Sequence, residues 1–351
     1  MSNVLILGCG KVGKTIALDL DKRHTVTVAD TNKEALNYFP NLNTFYIKNN
    51  LETIKNIAPN FDLVVCAVPG SVGFKVLKTL LESKVDVIDI SFSPENILEL
   101  NDLAIKNGVT AFVDMGVAPG LDNIILGYYD SFLNVESFEC LVGGLPKEKY
   151  TYKAPFSPAD VIEEYTRPAR FIEKGKIITK EALSDPQHVV AKGLVLQSFN
   201  TDGLRSLLET MKHIPNMKEK TLRYVGHREE MIFLRDSGFF NKENLEFTSK
   251  VLFDKWKLLP FDDEFTFMRV TIKGDNEKHV WELYDETDKK TRLSSMSRTT
   301  GYTCCAMAEV ILSNQWGRPG IFPGELVGRE SRIFKHVISF LKERNIELVE
   351  C

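Results

Sequence analysis

Three glycines in Gly8-Cys9-Gly10-Lys11-Val12-Gly13 follow directly on the apolar run Val4-Leu5-Ile6-Leu7, and glycines at that spacing can cradle a pyrophosphate. Gly8 would allow a tight strand-to-helix turn, Gly10 would let the backbone approach the phosphates, and Gly13 would let the next helix pack close on the strand. A helix opening at Lys11 and Val12 points its N–H groups and its positive dipole end at the same anion. A second apolar run, Thr25-Val26-Thr27-Val28-Ala29, ends in Asp30. An acidic residue about twenty positions beyond the glycines is placed to accept hydrogen bonds from the adenosine ribose hydroxyls. Asp30 would repel a 2′-phosphate, so the pattern favours NAD over NADP, with Lys33 as the nearby cation that argues the other way. A purely structural turn is the competing reading of the glycines.

Those residues need a sheet to hold them. The first third of the chain alternates apolar runs with helical patterns: helices over 14–20, 33–39, 51–57, 73–83 and 97–107, and strands over 25–29, 44–47, 63–68, 86–90 and 111–114. Continuous β-branched runs such as Leu63-Val64-Val65-Cys66-Ala67-Val68 suit parallel strands buried on both faces. The pattern is that of an α/β doubly wound parallel sheet with right-handed crossovers. Such sheets bind ligands at the carboxyl ends of their strands. Ala67, Val68 and Pro69, together with Gly116, are therefore further candidates for cofactor contact, although a plain turn explains Pro69 and Gly70 equally well.

After Met115-Gly116-Val117-Ala118-Pro119-Gly120 the pattern changes. Runs over 135–142, 222–225, 265–272 and 280–284 predict antiparallel strands, so the middle of the chain should be an α+β domain that walls a cleft and supplies a dimer contact. The end turns helical again over 302–313 and 333–345. The first of these segments is apolar all round and should return to the nucleotide domain, making that domain discontinuous: residues 1–118 with 303–351, against 119–302 for the second domain.

Composition narrows the class. A 351-residue chain with 43% hydrophobic and 26% charged residues is ordinary for a globular protein and long enough for two domains. A net charge of −4 provides no basic field for nucleic acid. No charged-then-apolar leader and no apolar run of about 18 residues is present, so neither a secretory signal nor a membrane helix is expected. The six cysteines have no metal-type spacing, which points to free thiols in a reducing cytoplasm and to no metal site. Adjacent Cys304 and Cys305 read as small core residues of a helix.

Five segments carry a family likeness: Val117-Ala118-Pro119-Gly120, Gly143-Gly144-Leu145-Pro146, 199–205 (Phe-Asn-Thr-Asp-Gly-Leu-Arg), 220–227 (Lys-Thr-Leu-Arg-Tyr-Val-Gly-His) and 298–303 (Arg-Thr-Thr-Gly-Tyr-Thr). In this order they resemble the saccharopine dehydrogenase family, and the set is similar to its short lysine 6-dehydrogenase branch. The resemblance implies a Rossmann domain plus an α+β catalytic and dimerisation domain. It also implies a homodimer that uses a nicotinamide cofactor to oxidise the C–N bond of an amino acid. Saccharopine-forming members commonly carry Cys before Gly-Gly-Leu-Pro and Tyr in the loop after the fifth strand, where this chain has Val142 and Phe92. Those departures favour lysine as the substrate over saccharopine. They also leave open a catalytically silent NAD-binding regulator. Asp122 matches an acidic position of the saccharopine-type members.

Oxidising an amine to an imine requires hydride transfer to the cofactor and a group that accepts a nitrogen proton. A lysine-like substrate adds an α-carboxylate, best held by Arg, and an α-ammonium, best held by a carboxylate. Arg205, Arg223 and Arg298 are the carboxylate anchors to consider, Arg298 with Thr299 above all. Asp122 could hold an ammonium or accept a proton, and could equally cap the helix over 123–129. Lys153 follows the Gly-Gly-Leu-Pro strand and could act as a base if desolvated; a solvated loop lysine is the plainer reading. Glu164 and Tyr165 could receive the substrate amine. His227 could titrate in the useful range or be a structural histidine bonded to the backbone.

Overall fold

The computed structural model describes every residue except Asn49, Tyr150, Thr151, Phe156, Ser157 and Pro260, and the side chain of Pro158. The chain divides into two compact units, Met1–Ser131 with Ser297–Asn345, and Phe132–Met296 with Ile346–Cys351.

The first unit is built on a seven-stranded parallel sheet. Its strand order is Gly320–Pro323, Thr110–Val113, Val87–Asp89, Leu63–Cys66, Asn3–Leu7, Thr25–Asp30, Asn43–Tyr46. The register runs Val4 to Val26 on one side of the first strand and Val4 to Leu63 on the other. Residues 4–7 and 63–66 are wholly buried, as expected where helices cover both faces of a sheet, and each such Val, Leu or Ile contributes about 1.5–3 kcal/mol. The chain order reverses direction between Asn3–Leu7 and Leu63–Cys66. That is the place where an open α/β sheet leaves a crevice at its carboxyl edge.

Three helices complete this unit from the far end of the sequence or its border. Helix Ser295–Leu312 carries Cys304, Cys305, Ala306, Met307, Ala308 and Val310 with no exposure at all, so its apolar surface is buried nearly all round, as its composition predicts. Helix Ser331–Glu343 is amphipathic and buries Ile333, Phe334, Val337, Phe340 and Leu341. Helix Leu121–Asp130 falls in the first unit, whereas the sequence grouped it with the second. The reason is backbone packing at glycines: a β-carbon on Gly127 would lie 2.1 Å from the Glu325 carbonyl oxygen, and one on Gly328 would lie 2.2 Å from that of Ile124.

The second unit carries a nine-stranded mixed sheet. Its main path runs Gln187–Ala191, Leu194–Asn200, Asn216–Tyr224, Val135–Pro146, Glu264–Gly274, Glu277–Glu286, Glu347–Glu350, with Ala169–Glu173 and Lys176–Lys180 joined to one side. The expectation of antiparallel strands needs a correction at its centre, because Asn216–Tyr224 runs parallel to Val135–Pro146. The terminal strand Glu347–Glu350 pairs with Glu277–Glu286 and so belongs here, not to the nucleotide-binding unit. Among the described residues, no helix is long and apolar enough to cross a membrane. Five cysteines are buried free thiols, and Cys351 is an exposed one.

Candidate functional site

In the first unit the glycine turn adopts the conformation its spacing implies. Gly8 sits at φ +96°, and a β-carbon there would meet the Ala67 carbonyl oxygen at 2.3 Å; one on Gly13 would meet the Gly8 carbonyl oxygen at 1.9 Å. Both are collisions with backbone, which cannot swing aside. Gly10 differs: a β-carbon there meets nothing within 4 Å. The turn is therefore tight against its own sheet and open in front. Helix Lys11–Leu20 starts at Gly10 with no side chain capping its first turn, the condition under which a helix start serves an anion.

Asp30 ends the neighbouring strand and is anchored twice. One carboxylate oxygen accepts the Cys9 N–H at 2.6 Å and the other accepts the Asn32 N–H at 2.7 Å. An ionised carboxylate has capacity for about four hydrogen bonds, so both oxygens can still accept from ribose hydroxyls. Lys33 sits with its ammonium 4.7 Å from the centre of the Tyr46 ring. Ala67 and Val68 are half-buried at the carboxyl end of Leu63–Cys66, Pro69 is exposed beyond them, and Gly116 is half-buried with its N–H on the Pro119 carbonyl at 3.1 Å. These residues fit a dinucleotide: glycines where a β-carbon would fill the cradle, and an acceptor placed for a ribose.

Three other candidates also lie in the first unit. Asp122 is fully buried and closes its own turn, with one oxygen accepting the Gly120 N–H at 2.9 Å. Arg298 is buried and donates to the Arg344 carbonyl at 3.0 Å, over the Tyr302 ring. Thr299 is buried beside it, and its carbonyl accepts the Thr303 hydroxyl at 2.8 Å. Consecutive helical residues leave the axis about 100° apart, so Arg298 and Thr299 are poorly arranged to share one carboxylate. Asp89, which sequence reasoning passed over, is buried at the end of strand Val87–Asp89. Its two oxygens accept the Ser91 hydroxyl at 2.8 Å each, and burial pushes its carboxyl up to about 7.

The second unit brings four of the predicted residues into one buried cluster. Arg223 is only 2% exposed. Its Nε donates to the Tyr165 hydroxyl at 3.1 Å, its Nη1 to the Leu222 carbonyl at 2.9 Å, and its Nη2 to Glu164 at 2.9 Å. With its oxygen occupied by Arg223, the Tyr165 hydroxyl can donate onward to His227 Nε2, 2.9 Å away. Burial, and secondarily the Arg223 charge, lowers the His227 imidazolium to a pKa of about 3. His227 is therefore neutral and a hydrogen-bond acceptor in this network, and a weak base. Burial also raises the Glu164 carboxyl above its ordinary range, against the pull of Arg223. Glu164 is the most accessible of the four.

Residues that sequence reasoning missed complete the cluster. Tyr152 lies with its ring 4.6 Å from that of His227 and 5.2 Å beneath the Arg223 guanidinium. Burial pushes its phenol up to about 12. Trp256 packs edge-on to Tyr152 and Tyr165. The signal in the sequence is the aromatic of Tyr152-Lys153. Lys153 itself stands apart, ion-paired to Asp262 at 3.5 Å and donating to the Lys257 carbonyl at 3.3 Å. Arg205 is half-buried with φ +45°, a backbone that costs a non-glycine residue about 1 kcal/mol or more. Among the described residues, no cluster of three or more His, Cys, Asp or Glu is placed to hold a metal.

These two constellations agree with what the chain resembles. A model of the saccharopine dehydrogenase NADP binding domain matches residues 4–112, and a model of the saccharopine dehydrogenase C-terminal domain matches residues 116–346. The chain belongs to the saccharopine dehydrogenase family. It carries matches to both the NADP binding domain and the C-terminal domain of that family. The NADP-dependent, glutamate-forming saccharopine dehydrogenase of Saccharomyces cerevisiae is 26% identical over 321 residues, covering 84% of this chain and 71% of that one. The mitochondrial alpha-aminoadipic semialdehyde synthase of Rattus norvegicus is 23% identical over 265 residues, 68% of this chain but 28% of that one. The chain therefore spans little more than a quarter of the rat protein. The apo structure of the glutamate-forming S. cerevisiae enzyme superposes with a TM-score of 0.78 over 100% of both chains at 18% identity, a likeness of fold. The matches define the family without singling out a lysine 6-dehydrogenase branch.

Proposed function

We propose that this chain is a dehydrogenase, using NAD in preference to NADP, that oxidises the C–N bond of an amine carried by an amino acid. The observation that carries the reading is the open cradle at Gly10 with the doubly anchored Asp30 beside it. An adenosine ribose bearing two hydroxyls can be received there, while a 2′-phosphate would meet a fixed negative charge. The bound dinucleotide supplies the hydride acceptor; the protein supplies orientation and a place for the proton.

In this reading Glu164 is the carboxylate that receives the substrate ammonium, and Arg223 positions it. Arg223 uses three N–H groups within the cluster of the five a guanidinium has, so it keeps donor capacity for a substrate carboxylate. Tyr165 and His227 hold the Arg223 plane. Lys153 is an ion-paired ammonium and a poor proton acceptor, which leaves Asp122 as the better candidate for that role. Assembly as a homodimer belongs to the same reading, and light scattering at micromolar concentration tests it.

The favoured substrate is a saccharopine-type secondary amine, as the names of the relatives suggest. A second reading, the terminal amine of lysine, is favoured by Val142 and Phe92, which provide neither thiol nor phenol at two positions where saccharopine-forming members carry them. Supplying NAD with saccharopine or with lysine and following NADH absorbance separates the two. Saccharopine should give NADH together with stoichiometric glutamate. NADH from lysine alone would transfer the assignment to the primary amine, and NAD binding without turnover of either would replace the enzyme by a regulator.

A further inference from the structure

A cavity of about 330 Å³ in the second unit is used by none of this chemistry. Lys180, Lys218, Lys220, Glu173, Asp185 and Asn200 supply most of its polar lining. Successive strand residues point to opposite faces. Lys218 and Lys220 therefore stand on the face of strand Asn216–Tyr224 opposite to Arg223, and the cavity is separate from the Arg223 cluster.

Two groups in this lining lack the partners that burial demands. Lys220 is 3% exposed. Its ammonium has three N–H donors but donates only to the Asp185 carbonyl, at 2.8 Å; among the described residues no carboxylate forms an ion pair with it. Its neighbours differ. Lys180 is paired with Glu173 at 2.6 Å and Asp185 at 3.3 Å, and Lys218 with Glu139 at 2.8 Å. A buried cation with no carboxylate in ion-pair contact is costly unless something supplies the charge. Burial holds Lys220 below the usual lysine range, as expected of such a group. The second is Asn200, which has no exposure. Its Nδ2 donates to the Ser184 hydroxyl at 2.8 Å and to an Asp185 carboxylate oxygen at 3.0 Å, which fixes the amide orientation, since a flip would face oxygen with carboxylate. Its Oδ1 is left buried with no hydrogen-bond partner.

We propose that this cavity binds a small organic or inorganic oxyanion, with Lys220 Nζ as its principal contact and Asn200 Oδ1 accepting from a donor on the same molecule. Lys180 and Lys218 already have carboxylate partners in Glu173, Asp185 and Glu139, which leaves Lys220 as the ammonium for a bound anion to meet. Lysine is a point charge and does not by itself choose between a planar carboxylate and a tetrahedral phosphate. What both ligands share is an oxyanion with a nearby O–H or N–H. The proposal does not depend on the dehydrogenase reading.

The test is calorimetric titration of the full chain with inorganic phosphate and, separately, with the hydroxy acid L-malate, at matched ionic strength. At least one should give saturable heat, and which one does so identifies the oxyanion. Lys220→Met should weaken that binding tenfold or more while leaving the melting temperature unchanged or higher, because an uncompensated buried charge has been removed. Lys180→Gln, at a more exposed position that does not threaten folding, should weaken it severalfold. No saturable heat from either probe would overturn the proposal. So would wild-type affinity in both the Lys220→Met and Lys180→Gln variants, which would place the anion elsewhere, for example at the start of helix Lys11–Leu20.

Discussion

The cradle in the first unit and the Arg223 cluster in the second solve opposite problems. Around Gly8, Gly10 and Gly13 the backbone is packed hard against its own sheet yet leaves open space in front and an uncapped helix start. Around Arg223 the polar groups satisfy one another: guanidinium to Glu164, guanidinium to Tyr165, phenol to His227. The cradle is completed by a ligand, and the cluster largely completes itself. A change in the first should therefore register mainly in binding, and a change in the second mainly in stability.

The largest expected effect on binding comes from Gly13→Val. Its β-carbon collides with the Gly8 carbonyl at 1.9 Å, so the helix must move off the strand. NADH affinity, read by fluorescence, should fall by more than about 100-fold, roughly 2.7 kcal/mol. Arg223→Met should give the largest effect on stability. Removing one partner of a buried ion pair leaves Glu164 uncompensated, and denaturant unfolding should show a loss of about 3–5 kcal/mol. NADH affinity should stay within about twofold, because the cradle and the cluster share no residue. A comparable loss of NADH binding in Arg223→Met would erase the contrast between the regions.

Two smaller changes sharpen it. Asp30→Asn removes the charge proposed to separate ribose from ribose phosphate. The preference for NADH over NADPH should shrink about tenfold, equivalent to about 1.4 kcal/mol; an unchanged ratio would dissociate Asp30 from cofactor choice. His227 supplies the pH signature of the second region. Its folded pKa of about 3 lies below the ordinary histidine value of 6.5, so between those values the unfolded chain binds the proton that the folded chain refuses. Above pH 6.5 the imidazole is neutral in both states and contributes no slope. As the pH falls below 6.5 the wild type should lose stability relative to His227→Gln by up to about 1.4 kcal/mol per unit. Parallel stability curves for the two proteins would contradict the buried neutral imidazole.

Much of the first unit was legible because its signals are local. The glycines and the strand before them lie within ten residues, and the apolar runs of a doubly buried sheet are continuous. Asp30 could be located by counting. The second unit was harder to read because its determinants are remote. Glu164, Tyr165, Arg223 and His227 could be nominated from their surroundings in the chain, but their meeting depends on a helix, Pro158–Thr166, and a strand, Asn216–Tyr224, separated by fifty residues of chain. The parallel pairing at the centre of the sheet, the short strands between Ala169 and Ala191, and the terminal strand Glu347–Glu350 rest on register with distant partners, not on local alternation. The pairing of Arg298 with Thr299 is weakened for a simpler reason: neighbours in sequence on one helix do not face the same way.

The central claim is that the Gly10 opening holds a dinucleotide independently of the Arg223 cluster. Calorimetric titration of NADH into the wild type and Gly10→Ala tests it most directly. Because a β-carbon at Gly10 touches nothing in the protein itself, Gly10→Ala should melt within a degree or so of the wild type while binding NADH about tenfold or more weakly. Equal affinity in the two proteins at equal stability would show that the opening is not where the dinucleotide lies, and the account would fail at its base.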